Sequence, residues 1–499
     1  MDFLKEITIT FSEIKKRNFE KFLSRKRPSS SRKDIETFNI LYQSYTKTSK
    51  KLNQLKGHPN YHAVRKRITK ELVNFLILES SELDIKQDNR EHFITVAKYF
   101  IGFKKYQQAW EILKKEEKIC DEKKDFLLNL KIQRLMLSIL PYQPLVDFEL
   151  VKAKILELKN QQAQVDEFQL YFIQIKNMFI DKIENGNVTI NSNIFKKAIE
   201  QYHNIKQLFN HPDIHLKIIE IIRAEYGVSK NYSSLSKIIV NYYKQIKIDQ
   251  YQNNFSETIA NIEYIMSYTF LEISDFEKSK IHLSKLQDLM QNDEKIFFNY
   301  IGKSIAIESF INVFENSLFR AIELIEKTLL DFKTKIKSRE KLNLSLNLAG
   351  FYCISQNYKK ANQIILDLNQ SSVFYLKTMG KEWVLRKDMI KVIIMIELGH
   401  VDLADKLIKT IKSDNDTMME KKQYKMVKPF IVLIKKYLDS PFEVNLSFLN
   451  EVEQAAKLDK QKTFQDPRLI IYYAWLKSKF SNKKVYDVLK QEYKQLSFF

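Results

Sequence analysis

An all-α fold is predicted by three features of this sequence. Glycine and proline are scarce, 8 of each in 499 residues, so the many tight turns of a strand-rich chain are not provided for. Lys, Glu, Gln and Leu, which lose little side-chain freedom in a helix, are abundant. From about residue 90 a short apolar signature recurs at intervals of roughly forty residues, the length of a helix pair joined by a brief turn. The 44% hydrophobic content, with 34 Phe and 25 Tyr, is enough for a continuous core and speaks against wholesale disorder.

The chain begins with a basic stretch. Its formal net charge is +21, and residues 1–80 carry 18 basic residues against 8 acidic ones, about half of the whole excess. Such a field favours acidic partners, whether nucleic acid, anionic lipid or protein. Three helices are expected here, near 3–24, 32–53 and 60–80. Pro28 and the neighbouring serines should interrupt helix between the first two, with Ser31 or Asp34 capping the second. Pro59 suits the start of the third. Arg25, Lys26, Arg27, Arg32, Lys33, Arg65, Lys66 and Arg67 flank these two breaks and are the candidate anion-binding residues, able to meet phosphate from a common surface or to stand as a solvated loop. A basic N-terminal helical unit over residues 1–85 is the expected first domain.

From residue 86 to 499 the recurring signature sets the organisation. An aromatic or aliphatic anchor is followed three residues later by a small or apolar one, at Tyr106/Ala109, Phe148/Val151, Phe195/Ala198, Tyr232/Leu235, Phe276/Ser279, Leu318/Ala321, Tyr358/Ala361 and Val401/Ala404, spaced 37 to 47 residues apart. Positions three apart share a helix face, and a small residue there lets a paired helix approach closely. Asp147, Asn231, Asp275, Ser317 and Asn357 each precede an anchor and are good N-caps, which predicts that a helix starts at the anchor. Gly399 supplies a helix stop before Val401. Weaker continuations fall at Phe442/Asn445 and Val485/Val488. The aromatics of Ile470–Phe480, among them Tyr472, Tyr473 and Trp475, read as core beneath C-terminal capping helices.

Two stretches carry a family resemblance. In 348–368 the positions Ala349, Tyr352, Tyr358, Ala361 and Ile365, and in 97–113 the positions Ala97, Phe100, Tyr106, Ala109 and Leu113, resemble the tetratricopeptide repeat. The period here is longer than that family's usual length of about 34 residues, Ser279 and Leu235 replace its small alanine, and its terminal proline is missing. The resemblance implies a right-handed superhelical array of antiparallel helix pairs, a tetratricopeptide-like α-solenoid, with an inner groove. In the family, the second position of each first helix lines that groove, fifteen residues before the anchor. Carried over, this gives Lys217, Asn261, Lys303, Asn343 and Arg386, all cations or amides, with Tyr264, Tyr268 and Phe310 nearby for apolar contact. Such a lining resembles the way some family members hold an acidic peptide or a terminal carboxylate, and cations at one-repeat spacing could track an extended acidic chain.

Signatures of a reaction are missing from the sequence. It contains no glycine-rich phosphate loop, CxxC, HExxH or nucleophile elbow. His58 with His62, and His211 with His215, have i, i+4 spacing, but two histidines make an incomplete metal site even if His203 joined the second pair. No cofactor or metal is expected. Cys120 and Cys353 form no disulfide framework, which suggests a reducing compartment. Asp2 and Glu6 argue against a secretory signal, and no run approaches the length of a membrane span, so a cytoplasmic location is expected. The expectation is therefore a non-catalytic interaction or scaffold protein whose groove binds a protein segment, with a regulatory or nucleic-acid-associated role for the basic unit as the alternative.

Overall fold

Helix after helix is laid down along the chain, and no strand occurs among the described residues. The computed structural model describes residues 4, 7–8, 11, 13–25, 28–46, 61–86, 91–123, 125–142, 147–185, 192–208, 212–229, 231–246, 255–332, 335–419, 427–441, 446–457 and 467–496. None of its helices is long and apolar enough to cross a membrane, among the described residues. The chain divides into two compact units, Met1–Asn160 and Gln161–Phe499. The expected boundary near residue 85 falls inside the first unit, at the end of helix Tyr61–Lys86.

The first unit opens with α1 (Glu13–Ser24), α2 (Pro28–Thr46) and α3 (Tyr61–Lys86). Their shared core is aromatic, with Phe19 meeting Phe38 edge-on at 4.8 Å and Phe75 at 5.3 Å. Pro28 does not break the second helix but opens it, since proline at the first helical position loses a hydrogen bond the helix would lack anyway. Ser31 and Asp34 consequently lie inside α2 rather than capping it. Beyond these come α4 (Glu91–Gly102), α5 (Tyr106–Lys123) and α6 (Phe126–Ile139), packed in sequence around Ala97, Ala109, Leu113 and Ile132. The long α7 (Phe148–Asn185) contains the division between the units.

In the second unit the helices are α8 (Ser192–Leu208), α9 (Pro212–Ser229), α10 (Tyr232–Tyr243), α11 (Ser256–Glu272), α12 (Phe276–Asn292), α13 (Glu294–Phe314), α14 (Leu318–Asp331), α15 (Ser338–Ile354), α16 (Tyr358–Asp367), α17 (Ser372–Met379), α18 (Lys381–Glu397) and α19 (Val401–Met419). α20 (Val427–Asp439), α21 (Leu446–Lys457), α22 (Pro467–Ser481) and α23 (Val485–Leu496) complete it. Seven of the eight anchors, Tyr106, Phe148, Tyr232, Phe276, Leu318, Tyr358 and Val401, are the first residues of their helices. Phe195 is the exception and sits one turn into α8. The partner residue three positions on is buried in every case. Of the weaker continuations, Val485 begins α23, whereas Phe442 and Asn445 lie outside the described residues.

The turn inside a helix pair has one construction. Lys104, Ser274, Asn316, Gln356 and Gly399 take positive φ two residues before the anchor. The next amide then reaches back to the carbonyl five residues earlier: Lys105 to Phe100, Asp275 to Phe270, Ser317 to Asn312, Asn357 to Tyr352 and His400 to Met395, at 2.8–2.9 Å. This arrangement satisfies carbonyls that a helix end leaves without partners. It then hands over to an N-cap, and the side chains of Asn231, Asp275 and Asn357 accept from the amides of Ser234, Lys278 and Lys360. Asp147 accepts from Glu149. Ser317 makes no side-chain cap bond.

Packing follows chain order. α11 pairs with α12, α13 with α14, α15 with α16 and α18 with α19, and the first helices of these pairs also touch one another in succession, α9 to α11, α11 to α13, α13 to α15 and α15 to α18. The short α17 is an addition to this pattern, fastened by the stacked rings of Tyr375 and Trp383.

Candidate functional site

The row of first helices, α9, α11, α13, α15 and α18, carries all five residues expected to line a groove. Each lies fifteen residues before an anchor and each is half-buried: Lys217 on α9, Asn261 on α11, Lys303 on α13, Asn343 on α15 and Arg386 on α18. Four of them reach back to the preceding helix of the row or to α7. Lys217 Nζ lies 6.0 Å from the Phe172 ring of α7. Asn261 Nδ2 donates to Glu220 Oε1 of α9 at 3.0 Å. Lys303 Nζ lies 4.9 Å from the Tyr264 ring of α11, and Arg386 Nη2 donates to Asn347 Oδ1 of α15 at 3.3 Å. These four side chains therefore join neighbouring helices.

At the centre is a cluster that the spacing argument names only in part. Arg223, on α9, lies 5.4 Å from the Tyr264 ring and 5.1 Å from the Tyr268 ring. Lys303 approaches Tyr264 as well and stands 4.6 Å from Tyr300. One tyrosine thus serves two cations through its electron-rich face. Burial pushes the Lys303 ammonium below its ordinary value, against the pull of Glu340, and does the same to Lys217 against Asp213 and Glu220. The Tyr300 hydroxyl is raised by burial and by nearby carboxylates, Glu257 first.

Acids temper this positive patch without filling it. Glu257 is engaged by Lys295 at 2.7 Å and by Asn299 at 3.3 Å, and Glu220 by Asn261. Glu340, buried at the start of α15, lies against Gly302, where a Cβ would fall 2.7 Å from its Oε2. No hydrogen-bond donor reaches that oxygen among the described residues. Burial raises the Glu340 carboxyl above its usual range, opposed by Lys303 and Lys337. Along this stretch of the row, Lys217, Arg223, Lys303 and Lys337 are set among Asp213, Glu220, Glu257 and Glu340.

Arg223, Glu220, Tyr300 and Glu340 are absent from the residues that the sequence singles out. A signal for Arg223 exists. It stands nine residues before its anchor, in a row otherwise occupied by Ser267, Ser309, Ala349 and Val392. An arginine among small and apolar residues is out of pattern.

The row is open at one end and covered at the other. Twelve and eight residues before the anchor, Tyr264 and Tyr268 on α11 and Ala306 and Phe310 on α13 are half-buried, but Leu346 and Gly350 on α15 and Met389 and Ile393 on α18 are buried. There α22 packs on α15. The Tyr472 hydroxyl donates to the Arg386 carbonyl at 3.5 Å, and Trp475 Nε1 donates to Glu397 Oε1 at 2.6 Å. From α23, the Tyr486 hydroxyl donates to the Val313 carbonyl at 2.9 Å and accepts from the Leu318 amide at 3.3 Å. The aromatics of 470–480 are core, as expected, but they are laid against upstream first helices.

The basic N-terminal residues are distributed differently. Arg67 pairs with the buried Asp34 through two contacts, Nε to Oδ2 at 2.8 Å and Nη2 to Oδ1, so its charge is committed to joining α2 and α3. Arg25 and Lys66 are exposed and Arg65 is half-buried. Arg32 and Lys33 belong to α2, and Lys26 and Arg27 lie outside the described residues. Of the histidines, His58 and His211 also lie outside them, His62 and His203 are exposed, and the buried His215 has its Nδ1 2.9 Å from the Tyr202 hydroxyl.

Comparison with models of known protein families and with curated proteins returned no match.

Proposed function

We propose that the helix pairs of the second unit form a right-handed superhelical array of tetratricopeptide-like type, and that its inner row binds an acidic protein segment without catalysis. The observation that carries this reading is the pair of half-buried cations Arg223 and Lys303, which share the Tyr264 ring, with Tyr268 beside Arg223 and the buried Tyr300 beside Lys303. Cations held against rings in partial shelter from water interact more strongly with an incoming carboxylate than free surface lysines do. Tyrosine rings beside them offer apolar contact at low entropic cost. The order of packing, in which each first helix touches the next, supports the array.

The test is fluorescence anisotropy of the full chain with a labelled peptide alternating Glu and Leu. Lys303→Glu and Lys217→Glu should each weaken binding by about tenfold, ~1.4 kcal/mol, and rising salt should weaken it further. Affinity that ignores both substitutions would sink the reading, as would no binding at all.

A further inference from the structure

Resting on that reading, we infer that the acidic group selected by the row is a phosphate monoester on the bound segment, and that Arg223 receives it. Each lysine of this stretch has an acid nearby, Asp213 and Glu220 for Lys217 and Glu340 for Lys303 and Lys337. Arg223 has tyrosines. Its guanidinium lies 5.4 Å from the Tyr264 ring and 5.1 Å from the Tyr268 ring, with Tyr232 the next group to act on it. Among the described residues no carboxylate forms an ion pair with it. The neighbouring acids are held by other side chains, Glu220 by Asn261 at 3.0 Å and Glu257 by Lys295 at 2.7 Å and Asn299 at 3.3 Å. A half-buried cation faced by rings alone lacks the counter-charge that sheltered arginines normally have, and an incoming anion supplies it.

Valence and shape decide between phosphate and carboxylate. A guanidinium fork takes two oxygens of one acceptor. A carboxylate has then used both of its oxygens and its single charge. A phosphate monoester carries three terminal oxygens and close to two charges at neutral pH, so one oxygen stays available to the next cation. That cation is Lys303, which shares the Tyr264 ring with Arg223 and lies 4.9 Å from its centre. Burial lowers the Lys303 ammonium, and the positive charges of Lys337 and Arg223 add to the depression. Glu340 opposes it but is itself disfavoured as an anion by burial. A dianion held by Arg223 turns the repulsion between the two cations into attraction toward a shared group.

Anisotropy titrations of the full-length chain test this with one labelled Glu/Leu peptide whose central residue is phosphoserine, glutamate or serine. At about pH 7.5 the phosphoserine peptide should bind about tenfold more tightly than the glutamate peptide. That advantage should shrink near about pH 5, where the ester holds about one charge and glutamate is still ionised. Arg223→Lys keeps the charge but loses the fork and should remove most of the advantage, as should Arg223→Gln, with thermal unfolding of both variants followed beside the titrations. Equal affinity for the phosphoserine and glutamate peptides, still weakened by Lys303→Glu, overturns the phosphate assignment and leaves the groove standing. An advantage undiminished in both Arg223 variants overturns the role of Arg223. Inorganic phosphate that displaces the labelled peptide as well as unlabelled phosphopeptide does would make the ligand a free ion and overturn the assignment to a protein segment. Absence of binding by all three peptides overturns the groove reading itself.

Discussion

Glu340 shows how much a single buried carboxylate settles at the site. Its ionised form is disfavoured by burial more than Lys303 and Lys337 favour it, so the native state holds the proton more tightly than the unfolded chain. Stability must therefore fall as pH rises from the unfolded value through the higher folded one. Glu340→Gln removes this loss. Its melting temperature relative to the parent should be higher at neutral pH than at about pH 3, below the ordinary glutamate value of about 4.3, where position 340 is uncharged in both proteins. A difference that does not change with pH would contradict the assignment. Glu340 was invisible in the sequence because its burial depends on Gly302, a residue on the preceding first helix that lets the carboxylate lie against the backbone. That Lys217, Asn261, Lys303, Asn343 and Arg386 fall at one level of successive first helices was legible because they repeat at fixed distance from an anchor. What each of them touches was not, since contact across helices depends on the side chain opposite.

At the scale of the element, the turn within a helix pair explains both a success and a surprise. Anchors mark helix starts because the residue before them ends one helix and caps the next. The scarcity of glycine suggested few tight turns, yet among the described residues five close turns of one construction occur, four of them with Lys, Ser, Asn or Gln in the left-handed region. The chain accepts backbone strain there, and the hydrogen bonds to the preceding helix hold the conformation. Caps in the same register are not equivalent. Asn357→Ala should cost about 1 kcal/mol in chemical denaturation, because it deletes a bond to the Lys360 amide, while Ser317→Ala should cost no more than ~0.3 kcal/mol, because no such bond exists. Equal costs at the two positions would show that the side-chain bond is not what stabilises these starts.

At the scale of the second unit, the C-terminal helix pair does more than finish the chain. Trp475 is almost wholly buried, hydrogen-bonded to Glu397 and edge-on to Tyr437 at 5.5 Å. Trp475→Ala should destabilise by about 3–5 kcal/mol and should raise amide exchange on α15 and α18 as well as on α22. Loss confined to α22 and α23 would mean that the pair is a detachable cap. The sequence showed that these aromatics were core. It could not show whose core, because periodicity reports which face of a helix is apolar and carries no information about a partner more than a hundred residues away. That long reach has a kinetic consequence. Neighbouring helix pairs can assemble from local contacts, but Tyr486 must find Val313, 173 residues upstream, a closure that waits until α23 has left the ribosome. Until then the faces of α15 and α18 stay uncovered, so a chain still in synthesis presents a longer apolar surface to chaperones than the finished protein does.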